Sequence, residues 1–232
     1  MKTNKLVIAA GSLVILLAGG YWAYDYYAGN HVEVKDVISS SAAAPGAGAA
    51  GSSGQAVQAG SIDGLWKIAP ASEVYFSVTT SKETVNFVVT PVQGSWQLNT
   101  SSPAKSTAEG KLALSTLSSG NGQRDNHVKS ADYLNIAQYP EATFKAKSFG
   151  ELPKEWKEGV KVPVDLTGTL QVKDKTKDVV FKSEAVYEQG QLKLQGATTV
   201  TFSDFGMKNP HTVTLDTQNE LQVQLRLVLE RG

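Results

Sequence analysis

Cysteine is absent from all 232 residues, which excludes disulfides, thiolate nucleophiles, zinc ribbons and iron–sulfur clusters. Net charge is absent as well: 22 Lys and Arg balance 22 Asp and Glu, so no field draws the chain onto nucleic acid. Histidine is scarce, and with only His31, His127 and His211 in the chain a three-histidine metal site is remote. GxSxG, HExxH and GxxxxGK[ST] do not occur, which removes the commonest hydrolase, metalloprotease and nucleotide-binding signatures. A GxGxxG pattern is present as GAGAAG at residues 46–51. It lies in low complexity instead of between a strand and a helix, where alone the pattern has meaning.

What the sequence does have begins at its N-terminus. Lys2 and Lys5 precede an apolar run over residues 6–24, nineteen residues long, about the length a helix needs to cross a bilayer core of roughly 30 Å. The lysines mark the cytoplasmic side, and Tyr21, Trp22, Tyr24, Tyr26 and Tyr27 form an aromatic belt at the far interface. The competing reading is a cleaved signal peptide ending near Ala18-Gly19-Gly20, which would leave a soluble periplasmic protein. Residues 1–30 are therefore expected to be a membrane anchor or uncleaved signal. Residues 31–61 form a juxtamembrane segment and a linker so rich in Ala, Gly and Ser that it lacks the apolar surface to order itself.

From Leu65 onward the sequence alternates. In GVKVPVDLTGTLQVK, Val160, Val162, Val164, Leu166, Gly168, Leu170 and Val172 share one face, and in the last segment Leu221, Val223, Leu225, Leu227 and Leu229 do the same. About eight such runs, separated by turn signals such as Glu188-Gln189-Gly190, predict an antiparallel sandwich or closed barrel over residues 62–232. Around Pro91 the apolar phase slips from Val85, Phe87 and Val89 to Val92, Trp96 and Leu98, the mark of a bulge where a sheet bends. The dry face mixes Gly110, Gly168 and Gly196 with Phe76, Phe87, Phe144, Phe181 and Phe202. Inward glycines leave room for a ligand or merely relieve strain where strands coil, and the pattern leaves both open.

WKIAPASEVYFSV at residues 66–78, QRDNHVKSADYL at residues 123–134, YPEATF at residues 139–144 and LTGTL at residues 166–170 together resemble the YceI-like family. The resemblance spans residues 62–230 and implies an all-β, eight-stranded, lipocalin-like antiparallel barrel with a short helical cap, exported to the periplasm. It also implies a long isoprenoid lipid, a polyisoprenoid or quinone tail, held in the barrel and no other cofactor. The interior wall is then expected to comprise Phe76, Val78, Phe87, Val89, Leu112, Phe144, Leu166, Gly168, Leu170, Phe181, Leu194, Gly196, Phe202, Val223 and Leu225. Two departures stand out: Asp178 occupies a position where the family usually has proline, and Phe87 one where glycine is common.

Residues 123–140 crowd Arg124, Asp125, His127, Lys129, Ser130 and Asp132 together. Asp125, His127 and Ser130 are the residue types of a nucleophilic triad, but such a triad needs convergent geometry that spacing alone does not supply. The alternative is an end-cap for the barrel: Asp125 or Asn126 caps a short helix, Val128, Tyr133, Leu134 and Ile136 turn inward, and Arg124, Asp125, His127 and Asp132 form a hydrogen-bonded network that fixes the cap. Three functions are expected in descending order. They are a non-catalytic lipid carrier at the periplasmic side of the inner membrane, an enzyme acting on a hydrophobic substrate through the polar cap around His127, and a protein-interaction module.

Overall fold

The computed structural model describes residues 29–38, 54–153, 155–210 and 216–232. The expected membrane segment at residues 6–24, the GAGAAG stretch and His211 lie outside them. The described chain forms β1 (Ala56–Val57), β2 (Gly64–Ile68), β3 (Glu73–Thr80), β4 (Thr84–Val89), β5 (Val92–Leu98) and β6 (Thr107–Ala113). After these come α1 (Gly122–Lys129), the one α-helix among the described residues, then β7 (Glu141–Phe149), β8 (Trp156–Lys157), β9 (Val162–Pro163), β10 (Leu166–Val172), β11 (Lys175–Glu188), β12 (Gln191–Thr201) and β13 (Thr217–Arg231). Among the described residues no helix is long and apolar enough to cross a membrane.

Antiparallel pairing runs β2–β5–β6–β7–β10–β11–β12–β13 and back to β2, closing a barrel of eight strands. The ring is complete because two pairs of strands act as one each. β2 and β3 lie in series along β13, with Ile68 opposite Leu229 and Val74 opposite Leu225. β4 and β5 lie in series beside them and break at Thr90-Pro91. The break carries the expected slip of phase: Val85, Phe87 and Val89 are buried before it, and Val92, Trp96 and Leu98 after it.

That break makes the two ends of the barrel different. β5 pairs with β6 along its length, whereas β4 turns away and is bridged to the segment after β6 through the backbones of Val88 and Ser118, each donating to the other's carbonyl at 2.8 and 2.9 Å. The gap is filled by residues 114–140. Trp66, Trp96, Phe149 and Trp156 are buried at the β5 end, where the Trp96 and Phe149 rings meet edge to face with centroids 5.6 Å apart, a geometry aromatic quadrupoles favour. One end is a packed core and the other is open.

The expected long strand over residues 160–172 is divided. Alternation persists through Val162, Val164, Leu166 and Leu170, but β9 and β10 are separate and Val160 lies in a loop. The Glu188-Gln189-Gly190 signal is a hairpin turn between β11 and β12 in which Gln189 and Gly190 both have positive φ, 53° and 79°. That is the backbone a two-residue turn matched to strand twist requires.

Candidate functional site

A cavity of about 500 Å³ occupies the open half of the barrel, a typical volume for a small-molecule site. Its wall is built from inward positions of β3, β4, β6, β7, β10, β12 and β13, and it includes Phe76, Val78, Phe87, Val89, Leu112, Leu170, Phe202 and Val223 from the expected interior. The Phe76 and Phe87 rings stack within 6° of parallel, centroids 4.5 Å apart, and form one panel of the wall. Phe87, 2% exposed, fills this side of the barrel.

Below the cavity a second void of about 60 Å³ is lined by Phe144, Leu166, Phe181 and Leu225. It shares Val74, Leu112, Ala142, Leu170 and Val223 with the cavity above. Phe144 and Phe181 meet edge to face here, 5.4 Å between centroids, and line the lower void alone, so the five shared residues form the floor of the cavity above. Leu194, Gly168 and Gly196 line neither space. Leu194 is buried in the packed end against a residual void of about 20 Å³. The glycines are correspondingly of two kinds. A side chain at Gly168 would strike the Phe144 ring and the Lys145 carbonyl, and one at Gly196 would strike Ser183, whereas Gly110 faces open space beside the lower void. Inward glycine therefore gives room at Gly110 and close packing at the other two.

The mouth of the cavity is polar. Thr80, Lys82 and Glu83 on the β3–β4 turn face Arg124, His127 and Tyr133 from the cap, with Thr217 from β13. Burial pulls the Arg124 guanidinium below its ordinary value while the charges of Glu83 and Asp125 pull it back. A guanidinium stays protonated under such opposition. Burial, and then the charge of Asp132, raise the Tyr133 phenol.

The four cap residues do not form the single network expected of them. The helix cap is Asn121, whose side-chain oxygen accepts from the backbone N–H groups of Gln123 and Arg124 at 3.1 and 3.2 Å, as capping residues do. Asp125 sits inside α1 and instead accepts from the Ser119 backbone N–H at 2.7 Å and the Ser119 hydroxyl at 2.6 Å. Arg124 reaches away from the helix to donate to the Gly29 carbonyl at 2.8 Å. His127 lies edge-on to Tyr133, centroids 4.9 Å apart, and Asp132 is exposed. The physical reason is position: Asp125 leaves α1 towards the preceding loop, Arg124 and His127, three residues apart on the helix, reach Gly29 and Tyr133 respectively, and Asp132 lies beyond the helix end. The Ser130 backbone N–H donates to the His127 carbonyl at 3.1 Å, but no hydrogen bond joins the His127 imidazole to the side chain of Asp125 or Ser130. Val128, Tyr133 and Leu134 line the cavity as expected, and Ile136 packs beside them.

The sequence reading missed two parts of the site. Lys82 and Glu83 sit at the tip of a hairpin whose strands were both recognised, so turn topology would have placed them at the same end as the cap. Among the described residues no group of three His, Asp or Glu side chains is placed to hold a metal ion.

The YceI-like domain family matches residues 66–229. The chain belongs to this family. Among curated relatives, a UPF0312 protein of Azotobacter vinelandii is 27% identical over 121 residues, covering 50% of this chain and 59% of that protein. The match thus spans about three fifths of the relative's length. BcnA of Burkholderia cenocepacia shares the fold at a TM-score of 0.59 and 18% identity, over 69% of this chain and 98% of that one. A polyisoprenoid binding domain from Saccharophagus degradans, implicated in plant cell wall breakdown, superposes at 0.56 with 15% identity, over 72% and 98%. At these identities the likeness establishes a YceI-like barrel and nothing about its contents.

Proposed function

We propose that this YceI-like protein is a non-catalytic carrier of a long isoprenoid-type lipid, a polyisoprenoid or quinone tail, held at the periplasmic side of the inner membrane by residues 6–24. The observation that carries the reading is the apolar cavity of about 500 Å³ with a polar mouth, a shape suited to an amphiphile whose tail enters and whose head stays at the rim. Apolar burial supplies about 0.8 kcal/mol for each CH₂ removed from water, so a prenyl chain gains affinity with length until the cavity is full. The named activity of the Saccharophagus degradans domain, polyisoprenoid binding, agrees with this reading.

An enzyme working through His127 has less support, because the imidazole packs on Tyr133 and is hydrogen-bonded to neither the Asp125 nor the Ser130 side chain. Native mass spectrometry of the full chain, purified gently from membranes, tests the proposal. A hydrophobic adduct lost on organic extraction and regained with a decaprenyl quinone is expected. A chain that stays empty and refuses the quinone contradicts it.

A further inference from the structure

Residues 29–36 are not slack chain. They lie along the outer face of the first hairpin, beginning at the mouth. The Gly29 carbonyl accepts from Arg124, and the Asn30 N–H donates to Glu83 at 3.0 Å, both rim residues of the cavity. The Asn30 side-chain oxygen accepts from the backbone N–H of Asn86 at 2.9 Å, and the Asn86 side chain donates to the Val32 carbonyl at 2.8 Å. Further from the mouth, Arg226 of β13 donates to the Lys35 carbonyl at 2.9 Å and pairs with Asp36 at 3.2 Å. Asn30 does for the edge of β4 what Ser118 does at Val88: it satisfies a strand N–H where the barrel has no neighbouring strand, as an otherwise open edge requires.

This placement changes which segment acts as the tether. The Ala/Gly/Ser-rich stretch follows the docked segment in the chain, so it connects this segment to β1 and does not set the distance from the membrane. Five Cα steps separate Tyr24, the last residue of the apolar run, from Gly29. An extended chain of that length reaches at most roughly 17 Å.

We propose that residues 29–36 are a strap that aims the open end of the barrel at the membrane bearing the chain's own N-terminus, so that lipid passes between that bilayer and the cavity without crossing bulk water. The proposal rests on residues 6–24 spanning the membrane, and not on which lipid the cavity holds. The bilayer surface is the partner, and the rim of Lys82, Glu83 and Arg124 meets its headgroups. The closed end, with its tryptophans, points away.

Because the chain has no cysteine, single labels report on orientation without background. The full chain is placed in nanodiscs of phosphatidylethanolamine and phosphatidylglycerol carrying a headgroup nitroxide. A bimane is attached through Ser81→Cys at the mouth or Lys105→Cys at the closed end. We expect quenching at position 81 to exceed that at position 105 several-fold. Releasing the strap with Asn30→Ala, Asn86→Ala and Arg226→Ala together should bring the two to within experimental scatter of each other. Equal quenching in the unaltered strap, a difference that outlives its release, or a chain recovered from membranes without residues 6–24 each overturns the proposal. Failure here leaves lipid binding standing, since the mass spectrometric adduct does not depend on orientation.

Discussion

Asp125 holds Ser119 by two hydrogen bonds, from the backbone N–H at 2.7 Å and the hydroxyl at 2.6 Å, with Ser119 wholly buried. The carboxylate at the centre of the most polar stretch in the chain is thus directed at its own preceding loop. It ties α1 to the segment that carries Ser118, the residue bridging the open edge of β4.

Asp125→Ala should therefore destabilise the fold. It strands two buried donors, each costing about 1–3 kcal/mol when unpaired, and a loss of about 2–4 kcal/mol is expected in urea denaturation. Asp125→Asn, which keeps one acceptor, should fall between. A change under about 0.5 kcal/mol for the alanine variant would mean that this tie does not hold the cap.

Phe144→Ala should enlarge the void that lies beneath the cavity and shares Val74, Leu112, Ala142, Leu170 and Val223 with it. A partly buried phenylalanine truncated in this way costs about 2–3 kcal/mol, somewhat below the range for full burial. The longest prenyl chain retained, read by mass spectrometry, should lengthen. Unchanged chain-length selection would show that Phe181 and its neighbours collapse into the space.

Gly168→Ala tests the opposite case. The added methyl meets the Phe144 ring and the Lys145 backbone, and overpacking of this kind costs about 1–3 kcal/mol. For a chain of this size the melting temperature should fall by roughly 2–4 °C per kcal/mol. A variant as stable as the parent would mean that Gly168 is not the seat of the Phe144 ring.

Tyr75 gives an alkaline signature. Burial first, and then its hydrogen bond to Glu73, push the phenol from 10.0 to about 12. Since the folded state holds the proton more tightly, this contribution is complete below pH 10 and is lost as pH rises through 12. Stability measured from pH 9 to pH 12 should decline more steeply in the parent than in Tyr75→Phe. Parallel declines would contradict the assignment.

Tyr75 also shows where reading the sequence stops. Phe76 and Val78 are expected inward, and they line the cavity together with Val74, which alternates with them. The same alternation puts Tyr75 outside, yet it is 1% exposed and its hydroxyl accepts from the N–H of Lys35, 40 residues earlier. Period two reports which face of a strand is dry within its own sheet and is blind to a remote segment laid over the other face. Similarly, Asp178, noted only for replacing a proline, turns outward to accept from Lys147 at 2.7 Å and Thr169 at 2.8 Å, an arrangement requiring β7, β10 and β11 to be aligned. Residue types around position 125 suggest a network, but Arg124 turns to Gly29, Asp125 to Ser119 and His127 to Tyr133, partners that spacing along the chain does not reveal.

Carrier function requires an apolar interior that binds by burial. Titrating the delipidated full chain with quinones bearing one to ten isoprene units tests this most directly, alongside Val78→Trp, which fills the cavity wall with an indole. Affinity should climb with each added unit and then level off when the space is filled, and the tryptophan variant should level off earlier and bind more weakly. Affinity that does not depend on tail length, or that Val78→Trp leaves untouched, would contradict the carrier function.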